Sequence, residues 1–235
     1  MRKELIYIGF IIGLLGFSGC QKLDLKPHEF VAHAKACDAG DGKKCYYTGL
    51  MYEQGIGVRK NNYRARKAYS NGCKLGDTSA CAQLGNLYVE GKGVRRNYRY
   101  AKTFLHKSCD DNATQGCATL GEMYMYGKGV KQNFQRAQQL FAISCENRGN
   151  DGRGCSGLGL LYLSGQGVTT NYEVASDAFK RACERGDGTG CYNMATMLED
   201  GVGRKQDESK AKEFYRKACV AGLKEGCQDF KRIEI

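Results

Sequence analysis

The 235-residue sequence holds a single proline, Pro27, and three histidines, His28, His33 and His106. Proline breaks helices by fixing φ and removing a backbone donor, so a chain without one beyond residue 27 is free to form continuous helices. The three histidines fall in no His-x-His or His-Glu-x-x-His arrangement, which leaves no zinc-ligand set. No Gly-x-Ser-x-Gly nucleophile elbow and no Walker loop occurs. Gly127-Lys128-Gly129 and its kin follow no predicted strand, so they read as loop glycines and not as a phosphate cradle. No metal and no cofactor is expected.

Glycine and cysteine, by contrast, are plentiful, at 32 and 13 residues. Abundant glycine can signal disorder. Here each glycine has a slot. Cys37, Cys73, Cys109 and Cys145 are 36 apart, Cys183 follows after 38 and Cys219 after another 36. Cys45, Cys81, Cys117, Cys191 and Cys227 each trail one of these by eight residues, and Cys155 trails Cys145 by ten. Gly55/Gly57, Gly91/Gly93, Gly127/Gly129, Gly165/Gly167 and Gly201/Gly203 keep the same beat. A fixed period in this range is the signature of a solenoid of stacked units.

One unit shows the physics. After Cys81, Leu84, Leu87 and Tyr88 form an apolar stripe at helical spacing. Gly85 sits inside that stripe, with counterparts Gly49, Gly121, Gly159 and Ala195. Glycine in a helix interior costs about 1 kcal/mol relative to alanine, so its recurrence predicts a neighbouring helix packed too close for a larger side chain. The helix stops at Gly91. A second starts at Asn97, whose counterparts are Asn61, Asn133, Asn171 and Asp207, residue types that cap orphan N–H groups. Ala101, Phe104 and Leu105 make its buried face, and it ends near Cys109. Each unit is therefore two antiparallel helices.

The cysteine pairs test this reading. Residues eight apart on one helix lie roughly 12 Å apart along its axis, whereas a disulfide needs Cα atoms within about 7 Å. If Cys37–Cys45, Cys73–Cys81, Cys109–Cys117, Cys145–Cys155, Cys183–Cys191 and Cys219–Cys227 pair, the chain reverses inside each pair. Gly40-Asp41, Gly76-Asp77 and Gly186-Asp187-Gly188 supply that turn. The two extra residues of the fourth pair fall between Asn147 and Gly152, where an insertion costs little. Each closed ring stabilises by about 2.5 kcal/mol in the chain-entropy model.

The pattern Cys-x-x-Leu-Gly-x-x-Tyr-x-x-Gly-x-Gly-Val-x-x-Asn-x-x-x-Ala with paired cysteines resembles the Sel1-like repeats. More narrowly it is similar to the Helicobacter cysteine-rich protein family, their disulfide-stapled branch. The resemblance covers residues 30 to 232. Thr48 replaces leucine in the first unit, and Ala195 and Leu198 replace glycine and tyrosine in the unit from Cys191. The resemblance implies an all-α, right-handed α/α superhelix of the TPR-like kind, with units of about 36 residues each stapled by a disulfide. It also implies slow binding and hydrolysis of penicillins and cephalosporins, hence a role in antibiotic resistance. The residues give that activity no machinery. No Ser-x-x-Lys is expected anywhere in the chain, Ser-Asp-Asn and Lys-Thr-Gly are absent, and the metallo route lacks histidines. The catalytic residue is unassigned.

At the N-terminus, a basic start and a 13-residue apolar run from Leu5 to Phe17 precede Ser18-Gly19-Cys20. This reads as a signal peptide over residues 1–19, too short for a comfortable membrane span, with an anchor helix as the alternative. Ser-Gly-Cys resembles a lipobox, with Phe17 in place of the usual leucine at its first position. Cys20 is the odd cysteine left by six pairs, as an acylated N-terminal residue would be. The organisation expected is a signal peptide at 1–19, a spacer at 20–28 and a solenoid at 29–235, capped by helices from about Glu29 to Ala39 and Lys224 to Arg232. An even cysteine framework behind a signal implies an oxidising compartment: the cell envelope, with a lipid anchor as the membrane contact, or the exterior.

The net charge is +11. Arg59, Lys60, Arg64, Arg66, Lys67, Arg95, Arg96, Arg99 and Lys102 cluster in loops and second helices, as a solvated face or as a surface for acidic partners. Nucleic acid is not expected as a partner of an exported protein. A more specific surface lies two, five and nine residues after the second cysteine of each pair, positions that share one helix face. It offers Tyr47, Gln83, Asn86, Glu90, Thr119, Glu122, Tyr126, Asn193 and Thr196 as groove-binding candidates, with Leu50, Gln54, Gly157, Leu160, Ser164 and Asp200 at equivalent places. Carboxamides can clamp an extended peptide backbone, and the tyrosines can stack on side chains. The same stripe is also what an idle, solvated surface would show. The partners expected are an extended peptide or protein segment, a cell-wall fragment or a β-lactam, bound to a monomer.

Overall fold

The computed structural model describes residues 27–110, 114–146 and 151–233. Residues 1–26, and with them the segment expected to be a signal peptide, Cys20 and most of the expected spacer, lie outside the described residues. Among the described residues twelve helices follow one another: α1 (Pro27–Asp38), α2 (Gly42–Gln54), α3 (Asn62–Lys74), α4 (Thr78–Glu90), α5 (Tyr98–Asp110), α6 (Thr114–Tyr126), α7 (Phe134–Glu146), α8 (Arg153–Ser164), α9 (Tyr172–Glu184), α10 (Gly188–Asp200), α11 (Glu208–Val220) and α12 (Lys224–Arg232). No strand occurs among the described residues. Sequential helices pack antiparallel, and the even-numbered helices also touch one another along the array from α2 to α10. The odd-numbered helices meet one another less, so the even-numbered helices line the tighter, concave side.

The recurring glycines and asparagines explain each unit. Gly55, Gly91, Gly165 and Gly201 end the even helices in the left-handed conformation, each returning its N–H to a carbonyl four residues back. Asn61, Asn97, Asn133, Asn171 and Asp207 then cap the odd helices through their side-chain oxygens, at 2.8 to 3.1 Å. The second loop glycine serves a different purpose. At Gly203 (φ +68°) a Cβ would lie 2.6 Å from the Tyr172 carbonyl oxygen of the preceding unit, so only glycine lets the loop cross there.

Each unit drives one large side chain against the helix glycine. A Cβ at Gly85 would lie 2.6 Å from Leu105 Cγ, one at Gly121 2.7 Å from Phe141 Cε1, and one at Gly159 2.6 Å from Phe179 Cε1. Leu105, Phe141 and Phe179, with Tyr69 and Tyr215 in the end units, are among the largest fully buried side chains. The disulfides then join units. All six expected pairs are present, with Cα separations of 4.4 to 4.7 Å. Each links the end of an odd helix to the start of the following even helix, across the turn between neighbouring units.

Three of the turn aspartates do more than the sequence reading gave them. Asp41, Asp77 and Asp187 are N-caps, accepting from the backbone N–H three residues on. The unit with the longer cysteine spacing departs from this. Gly152 takes the N-cap position of α8 with no side-chain bond, and the nearby acid, Asp151, is turned to another task.

Candidate functional site

A polar ladder crosses the concave wall from α4 to α8. The Asn86 amide donates to Gln83 Oε1 at 3.3 Å, and the Thr119 hydroxyl donates to Asn86 Oδ1 at 2.9 Å. On the far side Arg153 Nη1 donates to the Thr119 hydroxyl at 3.3 Å. Asp151 fixes that guanidinium with both carboxylate oxygens, taking Nε at 3.2 Å and Nη2 at 3.1 Å, and also accepts the Arg153 backbone N–H. The two-residue insertion is therefore not idle length. It frees an aspartate from capping and uses it to hold an arginine on the groove wall.

Beside the ladder, a cavity of about 310 Å³ opens between α6, α8 and the start of α10. Met125, Phe141, Gly157 and Leu160 supply its apolar surface, while Glu122, Tyr126, Arg153, Ser156, Asp187 and Thr189 supply polar groups. Gly157 explains why there is space. The equivalent positions carry Tyr47, Gln83, Thr119 and Asn193, and a Cβ at Gly157 would lie 2.6 Å from Phe141 Cε1. Ser156 donates its hydroxyl to Asp187 Oδ1, the oxygen that caps α10.

Glu122 stands apart from these pairings. Its carboxylate makes no hydrogen bond and no ion pair of its own among the described residues. Burial pushes its pKa above the ordinary carboxylate range. Arg153 and Lys128 pull it back, while Asp151 and Asp187 add to the rise.

The sequence candidates therefore divide. Gln83, Asn86, Thr119, Glu122 and Tyr126 come together on α4 and α6, in or beside the ladder and the cavity. Tyr47 is held at one end against His33 and Tyr46. Glu90 pairs with Lys92 at 2.5 Å. Asn193 donates to the Thr189 carbonyl of its own helix, and the Thr196 hydroxyl lies 3.3 Å from the buried Tyr215 hydroxyl, so neither joins the ladder. Arg153, Asp151 and Asp187 escaped the candidate set, and Gly157 entered it only as an equivalent place on the stripe. Gly157 was legible as the one glycine in its column of repeats, and Asp151 and Arg153 as products of the insertion.

Five copies of the Sel1 repeat model match, at residues 45–77, 78–112, 114–148, 152–187 and 189–223. The chain belongs to the Sel1 repeat family. Solved Sel1 repeat structures share the fold. A Sel1 repeat protein from Oxalobacter formigenes superposes with a TM-score of 0.71 at 23% identity, covering 87% of this chain and 86% of that one. The protective antigen c5321 of uropathogenic Escherichia coli gives 0.68 at 23% identity, over 86% of this chain and 43% of that one. Helicobacter pylori cysteine rich protein B is 28% identical over 57% of this chain and 94% of that one, with a TM-score of 0.46. No curated protein sequence matches this Sel1 repeat protein.

The expectation that no Ser-x-x-Lys occurs is wrong at one place, since Ser209-Lys210-Ala211-Lys212 has the spacing of a serine β-lactamase nucleophile. It occupies the first turn of α11, an outer helix. Ser209 is exposed, and the Lys212 ammonium sits 5.7 Å from the Phe230 ring centroid. Neither residue lines the cavity.

Proposed function

We propose that this Sel1 repeat protein is an exported interaction scaffold that holds an extended peptide segment of a partner across the concave face of α4, α6 and α8. The observation that carries the reading is the ladder from Gln83 to Asp151. It spans three successive units and fixes amide, hydroxyl and guanidinium groups on the wall where a strand-like segment would run. Groups oriented in advance lose less conformational entropy on binding. The six disulfides favour an oxidising compartment such as the periplasm or the exterior. Among the described residues no helix is long and apolar enough to cross a membrane.

The test is selection of random decapeptides on the oxidised protein and on Asn86→Ala and Thr119→Ala. The reading expects peptides that bind the parent protein and lose at least tenfold in affinity on either variant. Peptides that bind all three proteins equally, or no enrichment at all, would sink it.

Lipid anchoring through Cys20 belongs to the same reading, since two or more acyl chains hold a protein stably at a membrane. Labelled palmitate is expected to enter the parent protein and not Cys20→Ser. The penicillin-hydrolase expectation draws no support from the cavity, whose lining contains neither lysine nor histidine and whose serine hydroxyl is committed to Asp187. The scaffold reading expects no penicillin G turnover. Saturable turnover abolished by reducing the disulfides would restore the enzyme.

A further inference from the structure

We propose that the cavity between α6, α8 and α10 is a specificity pocket for one lysine or arginine side chain of the bound segment. The inference rests on the scaffold reading and names what that scaffold selects.

The argument is one of elimination. Arg153 spends Nε and Nη2 on Asp151 and Nη1 on Thr119, so its donors facing the ladder are committed. Asp187 receives Ser156 and the Gly190 backbone N–H. Glu122 alone keeps a carboxylate in the cavity with no hydrogen bond or ion pair among the described residues. A partly buried carboxylate that lacks a hydrogen-bond partner gains from one, and a ligand cation supplies it. An anionic ligand would meet Glu122 and Asp187 instead, against a guanidinium already neutralised by Asp151.

The remaining surface fits the stem of such a cation. Met125, Phe141 and Leu160 offer apolar walls to the methylenes of lysine or arginine, which bury their stems while seeking a polar partner for the head. Tyr126, 55% exposed, stands at the rim and already draws a cation, with Lys128 Nζ 5.1 Å from its ring centroid. A cavity of about 310 Å³ lies at the small end of ligand sites, a size for one side chain and not for a folded partner.

The probes are N-acetylated, C-amidated pentapeptides, Ala-Ala-Lys-Ala-Ala and its norleucine isostere, followed by chemical-shift titration of the oxidised protein. Acetylation removes the amino terminus as an alternative source of positive charge. At pH 8 the lysine peptide is expected to bind at least tenfold tighter than the norleucine peptide and to shift Tyr126, Gly157 and Thr189. Glu122→Gln is expected to abolish that preference. Acidifying the parent protein to pH 4 should do the same, because Glu122 then takes up a proton; Arg153, Lys128, Asp151 and Asp187 are the charged groups acting on it.

Equal binding of the two peptides, with shifts on α4 and α6, overturns the pocket and leaves the scaffold standing. A lysine preference that survives Glu122→Gln also overturns it. Failure of both peptides to perturb α4, α6 or α8 overturns the pocket, while the decapeptide selection alone decides the scaffold.

Discussion

The end units and the central units solve the same packing problem with different chemistry. In the first unit the buried knob is Tyr69, whose hydroxyl donates to Glu53 at 2.7 Å. In the last it is Tyr215, which donates to Glu199 at the same distance, and Glu199 also receives Arg232 of the capping helix α12. The three central units place Leu105, Phe141 and Phe179 there, and the position of the glutamate becomes Val89, Met125 or Leu163. Knob and partner thus change together. A central unit has a neighbour on both sides to exclude water, so both members are apolar. An end unit has a capping helix on one side, and a hydroxyl bonded to a carboxylate tolerates the wetter setting.

The sharpest way to break this comparison is to remove a central knob. Phe141 packs against both Gly121 and Gly157. Phe141→Ala is expected to cost about 3–5 kcal/mol in denaturant unfolding of the oxidised protein, the range for deleting a buried aromatic ring. Opening one staple ranks next. Replacing both Cys145 and Cys155 by serine should cost about 2.5 kcal/mol by the chain-entropy argument, measured in the same way.

The end units respond more gently. Tyr69→Phe keeps the ring and strands Glu53, at a cost of about 1–2 kcal/mol, whereas Tyr215→Phe should cost less because Arg232 still pairs with Glu199. Burial and Glu53 hold the Tyr69 phenol far above its ordinary range. The folded state therefore keeps its proton when the unfolded chain has lost it, and stability falls as pH rises above about 10. Melting temperatures between pH 8 and 11 should show this fall flattened in Tyr69→Phe.

The smallest expected effect has the opposite sign. Burial raises the Glu122 pKa, so folding favours its neutral form, and stability from this group is lost as pH rises from about 4.3 through the folded value. Glu122→Gln should therefore melt slightly higher than the parent at pH 7 and equal to it at low pH. A destabilised variant would show instead that the carboxylate holds the fold together.

Much of this architecture is legible in the sequence because it repeats. Asn97 and Gly85 are readable as cap and contact point since four relatives in the same chain occupy the same slots. The knob is narrowed by the sequence to Phe104 or Leu105, the two large residues on the expected buried face, and the structure selects Leu105. The site is harder to read for the same reason. A groove is made by departures from the repeat, and a departure looks like degeneration until coordinates show its neighbours. Asp151 resembles the other turn aspartates, yet the insertion moves it off the cap and onto Arg153. Thr196 fills the same column as Asn86 and Glu122, yet the Tyr215 hydroxyl draws it inward. The side chains that pair across units were beyond any reading of single columns.

The placement of the disulfides has a consequence for damage. Each bridge spans a turn between units, so the polypeptide there runs through a closed covalent ring. A protease that cuts once inside a ring leaves the molecule in one piece. Nicks at the six turns would then accumulate unseen on a non-reducing gel and appear as fragments only after reduction. The Gly-x-Gly loops have no such backup, and a single cut at Gly91 or Gly127 divides the protein outright. Under proteolysis, the stapled turns are the expendable connections and the glycine loops the vital ones.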